Sequence, residues 1–281
     1  MVRPPGEGND VYIEYWGFQR LPFENVPDPR FYFPSSQHEE GLHRMLYAVT
    51  QRKGAAMLTG EVGCGKTLLS REFLKQLNGG QEYNVALITN PSFPVLEFLQ
   101  EILYQFGVGS VPKKKIAILH RLNDHLLENE QKGIASVIVV DEAQAVRDLQ
   151  ILEELRLLLN FQRNDRFLLT LVLLGQPELR EKLLEIPQFA QRIGIQYHLT
   201  PLELPDVERY VKCRLKAAGG SETLFDADAI YLIHDGSKGI PRVINHLCDL
   251  CLLAGAMAKL SGIDGTLVQK ATKNSQFAAV S

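Results

Sequence analysis

Eight consecutive residues, Gly60-Glu61-Val62-Gly63-Cys64-Gly65-Lys66-Thr67, place three glycines, a lysine and a hydroxyl at the spacing G-x-x-x-x-G-K-[ST]. That combination answers the demands of a polyphosphate. Gly60, Gly63 and Gly65 can take backbone angles that turn successive N–H groups inward onto phosphate oxygens. Lys66 adds a point charge for β- and γ-phosphates, and the Thr67 hydroxyl can ligate Mg²⁺. Glu61, Val62, Cys64 and Leu68 complete the expected nucleotide-binding set, and of Cys64 only the backbone N–H is needed. The context supports the motif: AAMLT at 55–59 reads as a buried strand, and a helix is expected from Lys66 to Leu77. Its first turn presents unpaired N–H groups and a positive dipole end to the same anion.

A second constellation is VIVVDEAQ at 137–144, an apolar strand ending in two acids. Asp141 then stands at the strand's carboxyl end, where parallel sheets bind ligands. Asp141 is expected to hold Mg²⁺, directly or through water, and Glu142 to polarise an attacking water as general base. The two motifs together point to ATP as substrate and Mg²⁺ as its metal.

The elements that must position these residues follow from hydrophobic periodicity. Further strands are expected at 84–89, 136–141, 167–175 and 195–199, and helices at 93–106, 116–130 and 149–161. This alternation argues for an α/β fold, a parallel five-stranded sheet sandwiched between helices. Beyond Pro205 only helical patterns follow, at 205–218, 226–235 and 241–260, so a small all-helical domain is expected behind the core. The expected division is a disordered leader over 1–10, a core with its N-terminal segment over 11–200, a helical domain over 201–262, and a tail over 263–281.

Composition excludes several classes. With 45% hydrophobic and 22% charged residues the chain is an ordinary globular sequence, and a net charge of -3 gives no global pull toward nucleic acid or anionic lipid. Four cysteines in 281 residues are too few for a disulfide framework and suit a reducing compartment, the cytoplasm. Cys248 and Cys251 form a C-x-x-C, but no second ligand pair follows, and the run around them is apolar at helical spacing, which reads as core. No stretch is long and apolar enough for a membrane span, so no integral membrane segment is expected. The start MVRPPGEGND does not read as a signal peptide.

Three later features choose a branch among phosphate-loop ATPases. GQPELRE puts Gln176 after the fourth strand, FAQRIGIQYHL carries Arg192 just before the fifth, and KGIPRVINHLCD sets Arg242 at the start of a C-terminal helix. Together with the two motifs these resemble the AAA+ ATPases, which pair an αβα core with a helical lid. The resemblance implies that Gln176 is sensor 1, Arg192 an arginine finger that completes a neighbouring subunit's site, and Arg242 sensor 2. It therefore implies a homo-oligomer or filament.

The segment YWGFQRLPFENVPDPRFYFPSSQHEEGLHRMLYAV, with GQPELRE, QFAQRI and GIPRVIN, is similar to the general secretion pathway protein A (ExeA-type) ATPases over roughly residues 12–260. In that family the segment before the first strand lines the adenine pocket, which implies Pro22, Phe23 and the backbone around Phe31–Pro34 as contacts. Core packing of Tyr15, Trp16, Phe18 and Phe23 stands beside that reading. Members usually continue into a transmembrane segment and a periplasmic peptidoglycan-binding region, whereas this sequence ends at Ser281, so direct cell-wall contact is not expected of it.

Relatives in this branch serve secretion or pilus assembly, with an envelope protein as partner, or DNA transposition, with double-stranded DNA and a transposase. The second role calls for a basic surface, for which Lys113, Lys114, Lys115 and Arg121 are the candidates; a solvated charge run is the other reading of them. A nucleotide-gated switch with little turnover is a third possibility.

Overall fold

The computed structural model describes residues 11–26, 28–78 and 82–274. The leader expected over 1–10 lies outside the described residues, as do residues 275–281 of the expected tail. Two compact units divide the described residues: those within 36–62 and 66–200 form one, and those within 11–35, 63–65 and 201–274 the other.

The strands are β1 (Ala55–Gly60), β2 (Tyr83–Ile88), β3 (Ala135–Val140), β4 (Leu169–Gly175) and β5 (Ile193–Leu199). The helices that precede and flank them are α1 (Val11–Trp16), α2 (Ser36–Thr50), α3 (Lys66–Asn78), α4 (Val95–Gln105), α5 (Lys115–Gln131), α6 (Leu149–Leu158), α7 (Glu178–Leu184) and α8 (Pro187–Ala190). After β5 come α9 (Leu204–Ala217), α10 (Ala227–Ser237), α11 (Pro241–Met257) and α12 (Gly265–Asn274). Among the described residues no helix is long and apolar enough to cross a membrane.

The first unit is the expected α/β sandwich. All five strands run parallel in the order β2-β3-β4-β1-β5. Every residue of β1 and of β4 is buried, as their largely apolar sequences require of strands covered on both faces. One face receives α2 and α3, where Gly41 permits the approach: a Cβ there would stand 3.0 Å from Leu58 Cδ1 and 3.3 Å from Leu69 Cδ2. On the other face Met57, Ile88, Ile138, Val140 and Leu173 join Phe98, Ile102, Leu122 and Leu155 in one core. Helix α6 is capped by Asp148, which accepts from Gln150 N at 2.9 Å. It ends at Leu158 rather than 161, because the chain turns there and Gln162 pairs antiparallel with Phe167. That turn also delays the start of β4 to Leu169.

The second unit differs from the division expected from sequence in two respects. The N-terminal segment groups with the C-terminal helices and not with the sheet. Its aromatics supply the reason: Tyr12, Phe18, Phe23 and Phe31 share a core with Val211, Ile244, Cys248 and Leu252. Trp16 Nε1 donates to Leu252 O at 2.9 Å, and the Tyr12 hydroxyl donates to Asp249. Residues 265–274, expected within the tail, form α12, capped by Asp264 accepting from Leu267 N at 2.8 Å and packed on α10 and α11 through buried Val268. Cys248 and Cys251 lie in this core as expected, and burial pushes the Cys251 thiol up to about 12 and the Cys248 thiol well up.

A buried guanidinium ties the segment down. Arg214 is 4% exposed and donates to Pro22 O at 2.6 Å, Glu24 O at 2.8 Å and the Tyr210 hydroxyl at 2.7 Å. The Phe31 ring lies 4.7 Å from its central carbon. The Tyr210 hydroxyl donates on to Asn245, whose amide reaches Asn25 at 2.9 Å. Arg214→Ala leaves the buried Pro22 carbonyl and the part-buried Glu24 carbonyl without these donors and should cost about 2–4 kcal/mol in denaturant unfolding. Arg214→Lys keeps the charge but not the planar fork, and should recover only part of that loss.

Candidate nucleotide site

Strand β1 delivers the phosphate loop at the carboxyl edge of the sheet. The three glycines do not share one role, as the sequence suggested. Gly63 and Gly65 have φ of +86° and +94° and make the turn. Gly60 is the last residue of β1 and serves close approach instead: a Cβ there would stand 2.7 Å from Leu199 O on β5. Glu61, Val62 and Thr67 are exposed, Leu68 is partly buried, and Cys64 is buried. Lys66 opens α3 and is 6% exposed, with Nζ donating to Gly60 O at 2.7 Å and Glu61 O at 2.9 Å.

Asp141 follows β3 directly and extends its pairing, with Asp141 N donating to Ile88 O at 2.8 Å. It is 7% exposed. Burial raises its carboxyl above the usual range and the neighbouring Glu142 carboxylate adds to the rise, while the Glu142 N–H and the Lys66 ammonium act in the opposite sense. Lys66 and Asp141 are thus within electrostatic reach of one another. Glu142 has φ +51° and ψ +38°, a left-handed conformation that disfavours a side-chain-bearing residue by roughly 1–2 kcal/mol. It heads the 3-10 turn Ala143–Ala145.

Gln144 was not singled out from sequence, although it belongs to the same motif. Its amide nitrogen donates to the Glu142 carboxylate, and its Oε1 accepts from Gln176 N at 3.0 Å. Gly175 makes the room: a Cβ there would come within 2.8 Å of Gln144 Oε1. Lys182 on α7 fastens the same turn, donating to Gln144 O and, at 2.6 Å, to Val146 O. Gln176 therefore does stand beside the tip of β3, joined to Glu142 through one side chain.

Arg192 immediately precedes β5, whose first residue pairs with Ala55, while its last pairs with Gly60. At the usual strand rise of about 3.3 Å per residue, that puts Arg192 roughly 20 Å from its own phosphate loop. Among the described residues no carboxylate forms an ion pair with Arg192. Arg242 is exposed in the first turn of α11, within the helical unit to which Gly63–Gly65 also belong; its N–H donates to Gly63 O at 3.3 Å. Phe23, 2% exposed, packs edge-on against Phe225, and Pro22 is buried with its carbonyl on Arg214. Of the four cations considered for DNA, Lys115 pairs with Glu154 and Arg121 lies 3.8 Å from Glu128, while Lys113 and Lys114 are exposed.

The donor set fits a magnesium ion carried in by a nucleotide. Among the described residues no three His, Cys, Asp or Glu side chains converge to cage a metal. A cation held by Asp141 and the Thr67 hydroxyl would take its other ligands from phosphates and water, the coordination Mg²⁺ favours.

Comparison with known proteins places this geometry. Residues 49–183 match the family described as AAA domain. The chain is 40% identical to the general secretion pathway protein A of Aeromonas hydrophila over 247 residues, which cover 87% of this chain and 45% of that protein. It thus spans less than half the length of this curated relative. Among solved structures, the Aeropyrum pernix ORC2 protein in ADPNP–ADP complexes superposes with a TM-score of 0.66 at 19% identity, over 94% of this chain and 73% of that one. The Thermotoga maritima RuvB Holliday junction branch migration motor gives 0.57 at 18% identity, over 85% and 69%. These two likenesses are of fold. Residues 49–183 thus carry an AAA domain of the P-loop fold, and the sequence is similar to general secretion pathway protein A over most of its length.

Proposed function

We propose that this chain is a cytoplasmic ATPase that binds and hydrolyses MgATP to drive its own oligomeric assembly and the remodelling of an envelope protein in secretion or pilus machinery. The observation that carries the chemistry is the meeting of Lys66, Asp141, Glu142 and Gln176 at one edge of the parallel sheet. The machine is inferred from the similarity to general secretion pathway protein A.

In this reading, the loop's N–H groups and Lys66 take the phosphates of ATP in place of the carbonyls that Lys66 now contacts. Thr67 and Asp141 hold Mg²⁺, which neutralises charge on the β- and γ-phosphates. Glu142 orients and polarises the attacking water, and Gln176 senses the γ-phosphate. Arg242 reports nucleotide occupancy from the helical unit. Arg192, too distant for its own loop, serves the site of a neighbouring copy, a contribution worth roughly 10³–10⁵ in rate. The DNA-directed alternative is the weaker one, since two of its four candidate cations are engaged within the chain. A switch with little turnover differs from the proposal by its steady-state rate.

Calorimetry of Lys66→Ala should show ATP binding abolished or nearly so; wild-type affinity would remove the loop from the site. Glu142→Gln should bind ATP and fail to turn it over. Mixing it with Arg192→Ala, itself binding-competent and inactive, should restore measurable hydrolysis, and no recovery would exclude action between subunits.

Asp141 gives a test of opposite sign. Its carboxyl is raised in the folded state, so the stability this contributes is present below the unfolded value and lost as pH rises through the folded one. In EDTA at neutral pH, Asp141→Asn should therefore melt above wild type by differential scanning calorimetry. The gap should close as the pH is lowered through the carboxylate range. Addition of MgATP should stabilise wild type more than the variant.

A further inference from the structure

We propose that Gln144 is a positioning residue for the hydrolytic step, holding the Glu142 carboxylate at a fixed place relative to the peptide that carries Gln176. The inference rests on the reading of Glu142 as the group that activates water.

Three observations support it. The first is the double engagement of one side chain, whose amide nitrogen donates to the Glu142 carboxylate while its oxygen accepts from Gln176 N. A primary amide supplies both a donor and an acceptor, which neither a carboxylate nor an alkyl group does. The second is the space kept for it at Gly175, where a Cβ would fall 2.8 Å from Gln144 Oε1 and 2.9 Å from Leu179 Cδ2. The third is the restraint on Gln144's own backbone by Lys182, whose ammonium bridges the carbonyls of Gln144 and Val146. The amide is therefore anchored at both ends and takes its position from β4 and α7.

The consequence is mechanical. Glu142 sits on a strained residue in a 3-10 turn, and an unguided carboxylate there has several rotamers to explore. The Gln144 amide occupies one carboxylate oxygen and leaves the other for a water. It also makes the angle of Glu142 depend on where the exit of β4 lies, which is the segment that ends in Gln176.

The test compares Gln144→Ala, Gln144→Glu and Glu142→Gln with wild type, in steady-state ATPase assays together with ATP affinity and melting temperature. Gln144→Glu still accepts from Gln176 N but no longer donates to Glu142. Both Gln144 variants should lose on the order of 10- to 100-fold in kcat, with KM and ATP affinity within about twofold of wild type. In the Glu142→Gln background, Gln144→Ala should change the residual rate no further, because the group it positions is gone. Unchanged or faster turnover in either Gln144 variant, with Glu142→Gln inactive, overturns this inference and leaves the proposed function standing. A loss that appears in affinity or melting temperature in proportion to kcat also overturns it, by assigning Gln144 a purely structural role. Turnover by Glu142→Gln equal to wild type overturns both.

Discussion

A lysine ammonium removed from water must be given other oxygens, and Lys66 is almost wholly buried. The desolvation of an isolated ammonium amounts to several kcal/mol even after relaxation. The loop meets this with its own carbonyls from Gly60 and Glu61, and Asp141 adds opposite charge. Much of the local sequence follows from that arrangement. The left-handed residues at 63 and 65 turn the chain, and β1 can end beside β5 only if Gly60 lets Leu199 come close. The same carbonyls are weaker partners than phosphate oxygens, which bear full negative charge. An anion that displaces them therefore meets a cation already in place, at the start of a helix.

Around this charge the sheet imposes a direction. Because all five strands are parallel, their carboxyl ends share one edge, and residues far apart in sequence arrive there together. The strand order adds something that parallelism alone does not. Strand β4 lies between β3 and β1. The exit of β4 is thereby brought against the turn after β3, and Gly175 accepts the Gln144 side chain there. The raised Asp141 carboxyl belongs to the same economy of space: a charge held in a dry corner is uncomfortable without a cation and well placed with one.

Much of this was legible in the sequence because it is written in local pattern. Unbroken apolar runs marked β1, β3 and β4, and the glycine spacing marked the loop between a strand and a helix. The two acids after VIVV located the edge. Other features depend on partners distant in the chain. No spacing rule shows that β4 is inserted between β3 and β1, or that Gln144 meets Gln176. The aromatic cluster from Tyr12 to Phe31 was visible, but its packing among α9 and α11 was not, since one apolar ring looks the same whichever core receives it. Helix α12 does carry a local signal: Asp264 as a cap, then Leu267, Val268 and Ala271 at helical spacing. Gly60 reads in the sequence like the other glycines of the loop, whereas the close contact that needs it comes from β5.

The tie between residues 12–31 and the helices after β5 also has a consequence for biosynthesis. Tyr12 bonds to Asp249 across 237 positions, and Arg214 reaches Pro22 across 192. At ribosomal speeds of about 5–20 residues per second, the leading aromatics wait roughly 10–40 s before Arg214 has even been made. The strands all lie between residues 55 and 199, so the last of them is complete only shortly before Arg214 is made. Tyr12, Phe18, Phe23 and Phe31 meanwhile lack the side chains of α9 and α11 that bury them. The segment from Tyr12 to Phe31 is thus synthesised well before the side chains it packs against.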